Sequence, residues 1–99
     1  MTTLNKDKKQ ASLKRGENFV IALKENGSTG YRWKFNIVAG SAKQLDRSYT
    51  ADHDATIGGS GMLRTTFKVQ SLDNVEVKAE LTRFNGHVAK KHVFKIKQR

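Results

Sequence analysis

Apolar and polar residues alternate with a period of two along most of this chain, and that pattern constrains the fold more than any other feature. In the clearest segment, YRWKFNI at 31–37, every odd position is aromatic or aliphatic and every even position is polar. Such alternation is typical of a β-strand with one buried face. No segment sustains the period of an amphipathic helix, so we expect an all-β protein. The expected strands are 11–13, 18–24, 31–38, 43–50, 61–70, 75–82 and 88–97.

About seven short strands with regular turn signals, in a chain of 99 residues, predict an immunoglobulin-like β-sandwich. A small barrel of the SH3 type is the alternative. The aromatic residues on the inward faces should form the core, and they are Phe19, Tyr31, Trp33, Phe35, Phe67 and Phe94.

Residues 1–10 are polar and rich in lysine, so we expect a mobile basic arm there and a single sandwich domain in 11–99. The chain has no cysteine, which excludes disulfides and thiolate chemistry. No apolar stretch near the start resembles a signal peptide. The expectation is therefore a cytoplasmic protein or a mature secreted or lysosomal form.

The loops should divide unequally between the two ends of the sandwich, because successive connections in an antiparallel sandwich alternate between ends. The short turns 14–18, 39–43 and 71–74 share one end. The loops 24–30, 52–61 and 83–87 share the other, and they contain both glycine-dense stretches and the one loop aromatic, Phe84. Loops on a rigid scaffold commonly carry function, so the second end is the expected recognition surface.

These loop sequences resemble the chagasin-type inhibitors of papain-like cysteine peptidases. The family carries Asn-Pro-Thr-Thr-Gly-Tyr (or Phe) before its third strand, where residues 26–31 read NGSTGY, and Trp33 matches a core tryptophan of the family. The glycine-rich second motif matches GGSG at 58–61. Of the third motif, Arg-Pro-Trp, only Arg83 is kept. Gly27 stands in place of the family proline, and Phe84 is the nearest aromatic to the missing tryptophan.

The resemblance covers roughly residues 11–97 and implies a reversible, non-covalent, competitive protein inhibitor, not an enzyme, without cofactor or metal. Its first loop would enter the catalytic cleft and the other two would flank it. The implied peptidase-binding residues are Asn26, Gly27, Ser28, Thr29, Gly30 and Tyr31, then Ile57, Gly58, Gly59, Ser60, Gly61 and Met62, then Arg83, Phe84 and Asn85. A free inhibitor of this kind is expected to be a monomer, and nothing implies a membrane.

The net charge of +10 leaves a basic nucleic-acid-binding module as an alternative. The strand pattern argues against it, because the acidic positions of strand 75–82 should lie between the basic strands 31–38 and 88–97 and pair with them. Another immunoglobulin-like interaction module also stays open, since a fold does not determine a function. An enzyme is disfavoured, because no nucleophile and base occur together. His92 shares a face with Phe94 and is expected at the core or its rim.

Overall fold

The computed structural model describes residues 2–26, 30–51 and 60–99, and of Ser60 only the backbone. Within these ranges the chain forms eight β-strands. They are β1 (Thr2–Leu4), β2 (Gln10–Leu13), β3 (Asn18–Asn26), β4 (Arg32–Ala39), β5 (Ala42–Ala51), β6 (Ser60–Val69), β7 (Val75–Thr82) and β8 (Val88–Gln98). The all-β prediction is confirmed, and the seven predicted strands correspond to β2 through β8.

The strands form two four-stranded sheets. Sheet A has the order β1-β3-β6-β5, and sheet B has the order β2-β8-β7-β4. The long strands pair antiparallel, whereas β1 joins β3 and β2 joins β8 in parallel. The described part of the chain has no helix long and apolar enough to cross a membrane.

The core lies between the sheets and is built by alternate residues of the inner strands. Phe19, Ile21 and Leu23 of β3 face inward, as do Val75, Val77 and Ala79 of β7, and all are buried. Phe19 stacks on Phe67 of the paired strand with ring centroids 5.3 Å apart. Because one slip in register would turn every buried side chain outward, this alternation fixes the pairing of the strands.

The start of the chain differs from the expected mobile arm. Residues 2–4 pair with residues 19–21 of β3, and Leu4 is fully buried. A tight turn follows, in which Asn5 and Lys8 exchange backbone hydrogen bonds of 2.9 and 3.2 Å. The physical reason is Leu4: burying one leucine side chain offsets part of the entropy lost when its flanking polar residues become ordered. The division of the chain at residue 10 stays a prediction.

Candidate functional site

Three connections meet at one end of the sandwich. They leave β3 at Asn26, β5 at Ala51 and β7 at Thr82. The registers place these strand ends together, since Asn26 is opposite Ser60, Ala51 is opposite Gly61, and Arg32 is opposite Thr82. The sandwich therefore brings the bases of the three predicted loops to the same end.

Part of the predicted site lies outside the described residues: Gly27, Ser28, Thr29, Ile57, Gly58 and Gly59. The remaining members are placed as follows. In the first loop, Asn26 is the last residue of β3, and Gly30 and Tyr31 precede β4. After the second loop, Ser60 begins β6, which also contains Gly61 and Met62. The third loop, between β7 and β8, contains Arg83, Phe84 and Asn85.

A side-chain cluster joins the first loop to the third. The hydroxyl of Tyr31 lies 2.9 Å from Nδ1 of His87, at hydrogen-bond distance. The guanidinium of Arg83 lies 4.9 Å from the centre of the Tyr31 ring, within the range of a cation–π contact. Tyr31 is half-buried, so this cluster fixes the last residue of the first loop against the base of the third. We call Tyr31, Arg83 and His87 the loop clamp.

The third loop is a tight turn that presents Phe84 at its tip. The amide of Gly86 donates to the carbonyl of Arg83 (2.9 Å), and the amide of Arg83 donates to the carbonyl of His87 (3.0 Å). Gly86 has a φ of 87°, which favours glycine. Phe84 is 100% exposed. A fully exposed phenylalanine buries no apolar surface in the free protein, so its side chain adds nothing to folding stability. Burial of this ring by a partner would contribute to binding instead.

Gly30 and Gly61 are glycines for different reasons. Gly30 has a φ of 78° with open space around it, so its backbone conformation disfavours any side chain. Gly61 is buried under Tyr49, whose ring atoms would lie 2.6 Å from an added Cβ. Since β6 is paired on both sides here, the structure gives Gly61 a packing role.

Two residues with a part in the site were missed in the sequence. His87 lies in the predicted loop 83–87 but was given no role there, because its contact with Tyr31 spans 56 residues along the chain. Glu25 occupies an inward position of β3 beside Gly61 and is only 4% exposed. Its carbonyl accepts a hydrogen bond from the Tyr49 hydroxyl at 3.3 Å. The signal for Glu25 was its place in the alternation, where 19, 21 and 23 are apolar.

The basic surface is partly neutralised in sheet B. Glu80 of β7 lies 3.9 Å from Lys78 and 4.0 Å from Lys91 of β8, and Glu76 is opposite Lys95. The pairs with Lys91 and Lys95 are the cross-strand arrangement that the strand pattern predicts, whereas Lys78 lies on β7 itself. The described residues contain no group of three or more His, Cys, Asp or Glu placed to bind a metal.

Several solved structures share this fold. The cysteine protease inhibitor EhICP2 from Entamoeba histolytica has a TM-score of 0.80 at 14% identity, covering 99% of this chain and 94% of that chain. Amebosin has a TM-score of 0.71 at 20% identity, covering 99% and 95%. PbICP-C, solved in complex with falcipain-2, has a TM-score of 0.62 at 18% identity, covering 100% and 91%. At these identities the likeness shows the fold.

Sequence comparison identifies the family. No curated protein sequence matches the chain. The family model described as "Chagasin family peptidase inhibitor I42" matches residues 12–97, which is nearly the whole sandwich and includes all three loops. The resemblance found in the loop motifs and the immunoglobulin-like sandwich agree with this match. The chain belongs to the chagasin family of peptidase inhibitors.

Proposed function

We propose that this protein is a reversible, non-covalent, competitive inhibitor of papain-like cysteine peptidases, and that its three clustered loops occlude the active-site cleft. Membership of a peptidase-inhibitor family already separates it from the enzymes. The cysteine peptidase class is supported by EhICP2, a cysteine protease inhibitor, and by PbICP-C in its complex with falcipain-2.

The observation that carries the proposal is the loop clamp. Tyr31 ends the first loop, while Arg83 and His87 bound the third, and their contacts hold the two loop bases together before any partner is present. A binding surface that is ordered in advance loses less entropy on docking. The first loop lacks the family proline, and the clamp supplies some of the rigidity that proline would give.

The first loop is proposed to fill the cleft. Residues 26–31 are mostly small, and a narrow cleft that receives extended peptides admits such a segment. Thr29 is the position expected nearest the catalytic centre by its match to the second Thr of the family motif. The chain has no cysteine, so it cannot form a disulfide with the catalytic thiol, and its affinity comes from shape, hydrogen bonds and apolar burial.

The third loop is proposed to supply the main apolar anchor. Exposed aromatic side chains that become buried at the centre of an interface dominate binding energies. Phe84 is wholly exposed on a closed turn, and it would replace the tryptophan of the family motif. Arg83 is engaged with Tyr31 and contributes by positioning the turn. We further propose that the free inhibitor is a monomer.

Steady-state kinetics with the purified protein and a panel of papain-like peptidases tests the proposal. We expect KM for a fluorogenic peptide to rise with inhibitor while kcat stays constant, and activity to return on dilution. Mass spectrometry of the complex should show both chains at unchanged mass. Absence of inhibition across the panel, or a covalent adduct, would contradict the proposal. Thr29→Arg should abolish inhibition without unfolding the protein, because the larger side chain no longer fits the cleft.

A further inference from the structure

One edge of sheet A is left open beside the core. β1 pairs with β3 only as far as Leu4 opposite Ile21, so within the described residues no strand covers that side of 22–26. A cavity of about 280 Å³ opens there, between β3, β8 and the turn after β1. Its described lining residues are Asn5, Lys6, Asp7, Ala22, Leu23, Lys24, Trp33, Met62, Lys90 and His92.

The inner wall of this cavity is aromatic and apolar. The rings of Trp33 and His92 pack with centroids 5.6 Å apart and planes inclined by 30°. Leu23 and Met62 complete the apolar lining. The indole N–H of Trp33 already donates to the carbonyl of Lys24 at 2.8 Å, and Trp33 is only 3% exposed, so it forms the floor of the cavity beneath His92. A flat, apolar group is what such a wall accommodates.

One polar atom in the wall is unsatisfied. Nδ1 of His92 is buried, and the described residues give it no hydrogen-bond partner. Buried polar groups in folded proteins are nearly always paired, and an unpaired one calls for an explanation. The atom itself has almost no contact with solvent, so a molecule in the cavity meets the exposed part of the His92 ring. The carbonyl of Lys24 is occupied by Trp33, which disfavours addition of a peptide strand to this part of the β3 edge.

The outer wall is positively charged. Lys6, Lys24 and Lys90 line the cavity, and Asp7 is the one acid among the described lining residues. The positive charge also acts on the inner wall. Burial lowers the pKa of His92, and the positive charges of Lys9 and Lys90 lower it further. An anion placed beside this cavity would gain from the same field.

We propose that this cavity binds a small aromatic acid. The flat ring lies against the half-exposed His92, above the floor formed by Trp33, and the carboxylate, sulfonate or phosphate group faces Lys24 and Lys90. The volume is near the lower limit for ligand pockets, which restricts the ligand to one or two fused rings. Met62 is the one described lining residue that also belongs to the implied peptidase-binding set, and the proposal stands whether or not the loops inhibit a peptidase.

Titration with naphthalenesulfonate, followed by NMR, tests this site directly. Trp33 is the one tryptophan of the chain, so the indole N–H region reports on the cavity wall. We expect a saturable shift of this resonance. The neutral analogue naphthalenemethanol should bind about tenfold more weakly, because it lacks the charge-assisted contacts. No saturable shift, or equal affinity of the two compounds, would overturn the proposal.

Paired variants separate the cavity from the general basic surface. Lys24→Gln combined with Lys90→Gln should weaken naphthalenesulfonate binding about tenfold. Lys43→Gln combined with Lys68→Gln removes the same charge from exposed positions of sheet A that do not line the cavity, and it should leave the affinity nearly unchanged. An equal loss in both pairs would mean that the anion is attracted by net charge alone, and the assigned site would be wrong.

Discussion

The two ends of the sandwich close in different ways. At the end opposite the loops, backbone amides of the turns are bound by neighbouring turns and strands. The amide of Gly16 donates to the Val69 carbonyl at 2.8 Å, and the amide of Gln70 donates to the Ser41 carbonyl at 3.0 Å. At the loop end, the described contacts between loops are made by side chains, and the tip residue Phe84 is left bare.

This difference shows how one scaffold can separate stability from recognition. Turns whose backbone groups are bound to one another have little freedom and little to offer a partner. Side-chain contacts at the base of a loop hold its position while leaving its tip free to bind. The end opposite the loops also exposes an apolar residue, Leu72, at 72%. Exposure alone therefore does not mark the site, and Leu72 gives a matched control for Phe84.

The largest expected effect concerns the core beneath the loop end. Trp33→Ala should lower the free energy of unfolding by about 3–5 kcal/mol, because the buried indole packs on His92 and its N–H binds the Lys24 carbonyl. Urea denaturation measures this. A small shift of the midpoint with an unchanged m-value would show that the loop end does not depend on this side chain.

Phe84→Ala should weaken inhibition by about 2 kcal/mol, roughly 30-fold in the inhibition constant, as expected for an aromatic anchor. Leu72→Ala removes an exposed apolar side chain from the opposite end and should change inhibition by less than about 0.5 kcal/mol. Inhibition constants against one papain-like peptidase compare the two. If the two variants had equal inhibition constants, the loop end would be no more important for inhibition than the opposite end.

His87→Ala should weaken inhibition by about 1 kcal/mol, because Tyr31 loses its hydrogen bond and the third loop loses part of its anchor. If the clamp acts as a unit, adding Tyr31→Phe to His87→Ala should cost little more than either change alone. Ser71→Ala removes a comparable hydrogen bond from the opposite end, and it should leave the inhibition constant unchanged. Additive losses in the double variant would contradict the clamp.

The smallest effect is a pH dependence that differs between the ends. Burial lowers the pKa of His92 below 6.5, so the unfolded chain binds protons that the native state does not, and stability should fall as the pH drops through 6.5. His92→Phe should remove this decline. At the other end, a hydrogen bond from the Lys14 backbone lowers the pKa of Glu17 below 4.5, so its contribution should be lost only in stronger acid. Urea midpoints against pH measure both.

The sequence predicted most of the fold because the inner strands bury one face each. In β7 apolar and charged residues alternate from Val75 to Glu80, and the buried positions follow that alternation. In β3 the inward positions Phe19, Ile21 and Leu23 are all buried, although Val20 and Ala22 between them are also apolar. The alternation of apolar and polar residues was weaker in β5, where residues 43–51 are exposed on both faces. An edge strand that covers no core needs no apolar face. Strand β1 was missed in the sequence, because three residues with a single buried leucine make too short a pattern to detect.

The candidate site was predictable in its position and less so in its contacts. Loop order and alternation placed the three loops at one end. The contact of Tyr31 with His87 depends on β4 and β8 pairing with opposite edges of β7 in the folded sheet, so that both strands begin at the same end. No local pattern encodes it. The packing of Tyr49 on Gly61 likewise follows from the register of β5 against β6.

A comparison of two glycine variants tests the central claim most directly. Gly30 and Gly16 have φ angles of 78° and 94°, and both have open space where a Cβ would lie. Gly30→Val and Gly16→Val should therefore strain the backbone similarly, by about 1–2 kcal/mol, and leave the protein folded. Inhibition constants of the two folded variants are then measured against the same peptidase. We expect Gly30→Val to lose inhibition by at least about 100-fold, or roughly 2.7 kcal/mol, and Gly16→Val to inhibit like the parent protein. If both variants inhibit equally well, the first loop does not occlude the cleft.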